Sequence, residues 1–177
     1  MRKILLLTLL AALLAVPVAQ ATQLGIGAIG GINIPVAQED QGSGTIYGFK
    51  AKVSVIPGLV LEPNINFAKF GDASFDFGTR PGSKVTSFGI DALLGAGMGV
   101  LGLRMYGIVG AGYYSVARDY DDDTKKLGWS TGFGFELGIS ESVGVDLRGK
   151  LDIISSEGGG TKKSAAVAGG LNYYFGY

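Results

Sequence analysis

The sequence predicts an all-β chain of eight antiparallel strands in up-and-down order, closed as a barrel. Three observations predict it. A two-residue alternation of apolar and polar side chains recurs eight times, helical periodicity is absent, and longer polar connections alternate with tight turns.

The last strand shows the pattern at its plainest. Leu171, Tyr173, Phe175 and Tyr177 share one face and Asn172, Tyr174 and Gly176 the other, so the alternation runs to residue 177. The strand before it, from about residue 143, sets Val143, Val145, Leu147, Leu151 and Ile153 against Asp146, Arg148, Lys150 and Asp152, four charges on one face. Strand one, about 23–34, carries Leu24, Ile26, Ala28, Ile32 and Ile34 on its apolar side. Strand two, about 46–56, places Tyr47, Phe49, Ala51, Val53 and Val55 opposite Lys50, Lys52 and Ser54, and a Pro57-Gly58 turn follows. Strand three, about 59–70, opposes Leu61, Ile65 and Phe67 to Glu62, Asn64 and Asn66. Strand four, about 84–94, opposes Phe88, Ile90 and Leu94 to Ser87 and Asp91. Strands five and six span about 101–116 and 128–139, the latter alternating Trp129, Phe133, Phe135 and Leu137 with small residues and Glu136. The connections at 38–45, 72–83, 118–127 and 155–163 are long and polar; the others are tight turns. Long loops at one end and short turns at the other are the layout of a membrane-spanning barrel.

Alternation alone is blind to which face looks inward, since a soluble barrel has the same pattern inside out. The polar faces decide the orientation. They hold Lys50, Lys52, Arg104, Arg148 and Lys150 against Glu62, Asp91, Glu136, Asp146 and Asp152, amid Gly, Ser and Ala. Equal numbers of both signs among small residues suit a crowded lumen of paired charges. The apolar faces carry aromatics near strand ends, Tyr47, Phe67, Trp129, Tyr173 and Phe175 among them, as an interfacial girdle does. The fold class expected is therefore an eight-stranded antiparallel up-and-down transmembrane β-barrel.

The N-terminal segment agrees. Arg2 and Lys3 precede an apolar run from Ile4 to Val18, then Ala19-Gln20-Ala21, the pattern of a signal peptide with a small-x-small cleavage site. The run is short of the roughly 20 residues of a spanning helix. Residues 1–21 are expected to be removed and 22–177 to form one domain. Without Arg2 and Lys3 the net charge is −2, which argues against a nucleic-acid partner. Cysteine is absent, so stability in an exported chain rests on a closed hydrogen-bond network or a core. The 31 glycines are more than twice the average of about 7%, consistent with crowded, tightly turning strands.

With its signal peptide, eight alternating strands and terminal Leu171-x-Tyr173-x-Phe175-x-Tyr177, the chain resembles the small outer-membrane β-barrels of the OmpA and OmpX type over its whole mature length. The resemblance implies a bacterial outer-membrane location. It also implies that Leu171, Tyr173, Phe175 and Tyr177 are read by the outer-membrane assembly machinery. In one departure from OmpA, the chain is expected to end with the barrel and to lack the periplasmic peptidoglycan-binding domain, and its loops are short for an adhesin of the family.

Chemistry finds few candidates. There is no histidine, which removes the general base of the barrel lipases, acylases and proteases, so no enzyme is expected. Asp146 and Asp152 share a face six residues apart, roughly 20 Å along a strand and too far for joint acid-base work. Two G-x-G-x-x-G matches, Gly25-Gly27-Gly30 and Gly97-Gly99-Gly102, open no helix and predict no nucleotide site. The acidic run Asp119, Asp121, Asp122 and Asp123 lacks both the turn glycine and the bidentate glutamate of a calcium loop, and reads as solvated. No cofactor and no metal are expected.

The remaining bases, Lys69, Arg80, Lys84, Arg118, Lys125, Lys126, Lys162 and Lys163, fall in or beside the long loops. Of these, Arg80, Lys84, Lys125, Lys126, Lys162 and Lys163 are the candidates for contacts to lipopolysaccharide phosphates, against the reading that they are merely solvated. The function expected is a monomeric structural or surface-interaction barrel with a lumen plugged by ion pairs. The alternative is a narrow channel or a carrier of small, hydrophobic compounds. Mixed lumen charges argue against ion selectivity, which uses rings of one sign.

Overall fold

In the computed structural model, residues 23–36, 42–75, 78–80, 82–96, 102–118, 121–156 and 160–175 are described. The segment read as a signal peptide, 1–21, and Tyr177 lie outside them. The barrel strands are β1 (Leu24–Val36), β2 (Gly44–Ile56), β3 (Gly58–Lys69), β6 (Lys84–Ala96), β7 (Gly102–Arg118), β8 (Asp121–Gly138), β9 (Val143–Ser156) and β10 (Gly160–Phe175). A small hairpin, β4 (Ala73–Phe75) and β5 (Gly78–Arg80), stands in the connection between β3 and β6.

The eight long strands form one closed sheet in the order β1-β10-β9-β8-β7-β6-β3-β2, every neighbour antiparallel. Closure is made by the last strand: Leu24 pairs with Phe175 and Val36 with Lys163. With no edge left, every strand finds backbone partners on both sides, which a barrel in lipid requires. Pro57 precedes Gly58 at φ 84°, a left-handed conformation that glycine adopts without strain, and the chain reverses there from β2 into β3.

The two faces separate as the sequence predicts. Phe49, Phe88, Leu103, Trp129, Phe133 and Leu171 point outward and are exposed, Phe49 and Leu171 by 61% each. Lys52, Glu62, Asp146 and Arg148 point inward and are buried, Lys52 at 2%. Large apolar groups outside and charges inside are the inverse of a soluble barrel, and match lipid outside.

Two of the long connections are shorter than the sequence suggests. Most of the stretch 118–127 is strand, with Arg118 opposite Asp121 and Lys125 opposite Ser115, and 155–163 likewise continues β9 and β10. Backbone pairing persists where side-chain alternation has become wholly polar, so periodicity misses it. β7 and β8 have 17 and 18 residues, well beyond the 9–11 that cross a bilayer, and the excess lies at the long-loop end.

Candidate functional site

The lumen is filled in layers. Nearest the short turns sits an apolar cluster of Val60, Leu93, Tyr106, Ile108 and Tyr174. Cross-strand pairs bring it together: Val60 faces Leu93, and Leu93 faces Ile108. The rings need space that only glycine leaves. A Cβ on Gly134 would lie 2.5 Å from the Tyr106 ring and hydroxyl, and one on Gly25 would lie 2.6 Å from the Tyr174 ring.

Above this cluster lie two connected sets of ion pairs. Lys52 Nζ on β2 donates to Glu136 Oε2 on β8 at 2.6 Å, and the Tyr174 hydroxyl donates to Glu136 Oε1. Lys50 Nζ donates to Asp146 Oδ2 at 2.6 Å. Arg148 binds Asp146 from the same strand, Nη2 to Oδ2 at 2.5 Å, and grips both oxygens of Glu62 with its Nη1 and Nη2, the second at 2.9 Å. The Tyr106 hydroxyl donates to Asp146 Oδ1 at 2.7 Å. The Lys52 ammonium lies 5.7 Å from the Tyr106 ring centre and 5.8 Å from that of Tyr174, and the Arg148 guanidinium 5.7 Å from Tyr106, within cation-π range.

The next layer toward the long loops centres on Asp91. Lys150 Nζ donates to its Oδ2 at 2.8 Å, Asn64 Nδ2 to the same oxygen at 3.1 Å, and Ser130 Oγ to Oδ1 at 2.8 Å. Lys150 is also 3.7 Å from Asp152, whose Oδ1 accepts from the Tyr114 hydroxyl at 2.8 Å. Beyond Asp152 the walls become apolar again with Ile46, Ala68, Ala166 and Val85. Here a mouth cavity of about 40 Å³ opens, floored by Asn33, Asn66, Ser87, Tyr114 and Asp152. A pocket of about 20 Å³ lies one layer deeper and shares Ile46, Asn66 and Asp152 with it.

Of the ten charges expected in the lumen, eight are buried and Lys150 and Arg104 are half-buried. Arg104 sits across from Glu136 on the neighbouring strand, at the short-turn end. The loop-end bases divide by face. Lys84, Lys125 and Lys163 are exposed on the outer face, as is Lys69, directly opposite Lys84. Lys126 and Lys162 are half-buried on the inward face, and Lys162 lines the mouth cavity. The side chain of Arg80 is outside the described residues. Leu171, Tyr173 and Phe175 all face outward, with Tyr173 and Phe175 in edge-to-face contact at 5.0 Å.

Sequence reasoning missed the inward tyrosines Tyr106, Tyr114 and Tyr174 as members of the network. Tyr174 stands on the polar face of the last strand, and that placement was its one available signal. Gly25, Gly27 and Gly30 lie within β1, as a strand and not a phosphate loop, while Gly97, Gly99 and Asp119 are outside the described residues. Asp121, Asp122 and Asp123 belong to β8, and among the described residues no group of acidic side chains is arranged to hold a metal.

Comparison with solved structures finds the same barrel elsewhere. Neisserial surface protein A superposes with a TM-score of 0.71 at 14% identity, covering 86% of this chain and 97% of that one. The N-terminal β-barrel domain of OprF from Pseudomonas aeruginosa gives 0.59 at 16% identity, covering 88% and 98%. OprG from the same organism gives 0.58 at 12% identity, covering 89% and 97%. No curated protein matches by sequence. The family model described as "Outer membrane protein beta-barrel domain" matches residues 5–176. Closed topology, outward apolar face and a family match across nearly the whole length agree: the chain belongs to the outer membrane protein β-barrel domain family.

Proposed function

We propose that this small outer-membrane barrel is a non-enzymatic, non-conducting element of the envelope, monomeric and exported by removal of residues 1–21. The observation that carries the reading is the lumen cross-section. Lys52 to Glu136 and Arg148 to Glu62 join strands on opposite walls, and the apolar cluster around Leu93 closes the short-turn end beneath them. Such layers oppose a continuous water path, since breaking buried pairs to make one is costly.

The outer surface supports a lipid-facing role. Outward Lys69, Lys84, Lys125 and Lys163 lie at the long-loop end, above the outward aromatics, at the level where lipopolysaccharide presents phosphates. Lys126 and Lys162, on the inward face, fit this role less well. The last strand, with Leu171, Tyr173 and Phe175 outward at the closing pair of strands, supports reading by the assembly machinery.

Deletion in the native host, with complementation, tests the proposal. Deletion is expected to raise uptake of a hydrophobic dye and leave the lipid A mass spectrum unchanged. Unchanged dye uptake with a growth defect on one solute would favour a carrier instead.

A further inference from the structure

The outer surface of β1, β2, β3 and β6 carries a like-charged pair above an apolar groove. Lys69 on β3 and Lys84 on β6 are direct cross-strand partners, and both are exposed on the outer face. Cross-strand Cβ atoms lie about 5 Å apart, and like charges placed so are destabilising without a counter-charge. The adjoining strands supply none, since the same row continues into Thr45 on β2 and Ala117 on β7. Neither lysine makes an ion pair among the described residues. Asp72, beyond the end of β3, accepts from the Gly82 amide at 3.0 Å.

Polarity falls away below the pair. The next outward row toward the short turns holds Tyr47, Phe67 and Thr86, with the Tyr47 and Phe67 rings stacked at 5.3 Å. The row after it runs Leu171, Ala28, Phe49, Ile65 and Phe88 across β10, β1, β2, β3 and β6. These five residues border a groove of about 660 Å³, and Ala28, small between Leu171 and Phe49, leaves it open. Ile65 is four residues from Lys69, about 13 Å along the strand. An amphiphile matches this order of surfaces, with hydrocarbon in the groove and an anion at the lysines. Two facing ammonium groups balance a phosphate monoester, which carries about −1.5 to −2 at pH 7, better than a phosphodiester of single charge. We infer that this face binds one lipid bearing a phosphate monoester, the chemistry of lipid A, with the phosphate between Lys69 and Lys84 and an acyl chain laid over Tyr47 and Phe67 into the groove at Ala28. This site rests on the lipid-facing role proposed above and narrows the phosphate contact to one pair of strands.

Native mass spectrometry of the full barrel released from micelles, titrated with lipid A, with lipid A stripped of its phosphates and with phosphatidylglycerol, tests the site by counting bound lipid. Retention of a single lipid A is expected, with the other two lipids at least about tenfold weaker. Lys69→Gln with Lys84→Gln should weaken lipid A about tenfold or more, and Lys125→Gln with Lys163→Gln less than about twofold. Ala28→Trp, which fills the groove on the outer face, should also weaken it about tenfold while the heat-dependent gel shift of the folded barrel persists. Equal losses from the two lysine pairs, equal retention of lipid A and phosphatidylglycerol, or retention undiminished by Ala28→Trp would overturn the site and leave the broader lipid-facing role standing. No retention of lipid A by the native chain would overturn both.

Discussion

Arg148 and Glu62 meet across the full width of the lumen. Their strands, β9 and β3, are four places apart in a ring of eight, and the guanidinium still reaches both carboxylate oxygens, with Nη2 to Oε2 at 2.9 Å. A bidentate pair over that span ties opposite walls together.

Removing one partner strands the other as an uncompensated buried charge. Glu62→Gln or Arg148→Met alone should each destabilise the barrel by about 3–5 kcal/mol, while the double variant should recover much of the loss. Urea titration of barrels refolded into vesicles measures this. Simple additivity of the two changes would show that the pair is not coupled.

The tyrosine layer depends on glycine. A side chain at Gly134 would collide with the Tyr106 ring, whose hydroxyl holds Asp146. Gly134→Val is expected to cost about 1–3 kcal/mol by overpacking, and more than the same change at Gly107, where a Cβ meets open space. The same urea titration decides it, and equal costs at the two sites would count against this packing.

Much of this architecture is legible in sequence, because a period of two reads directly onto the two faces of a strand. Phe49, Leu171, Lys52 and Arg148 all fall on the side that their alternation assigns. Partners are another matter. Nothing in the spacing of Lys52 and Glu136, 84 residues apart, says that they meet, since that depends on barrel closure and stagger. The loop-side end of β8 was hidden for a different reason: residues 121–126 have ladder partners but no apolar face to betray them.

The outward lysines carry a prediction about lipid. Replacing Lys69, Lys84, Lys125 and Lys163 by Gln should reduce the rise in unfolding temperature that added lipopolysaccharide produces in micelles. Changing the inward pair Lys126 and Lys162 should leave that rise largely intact. The reverse ranking would assign the phosphate contacts to the mouth.

Tyr173 and Phe175 separate assembly from stability. Tyr173→Ala with Phe175→Ala removes an outward aromatic pair that touches none of the lumen network. The variant should refold in vitro to a heat-shifted band yet accumulate poorly in the outer membrane of cells. Equal losses in both settings would make the pair a packing element only.

In the proposed function, crossed ion pairs above an apolar cluster close the lumen. Current recording from the purified barrel in a planar lipid bilayer tests it most directly. A baseline indistinguishable from the empty bilayer is predicted for the native chain. Reproducible discrete openings from that same chain would contradict a closed lumen.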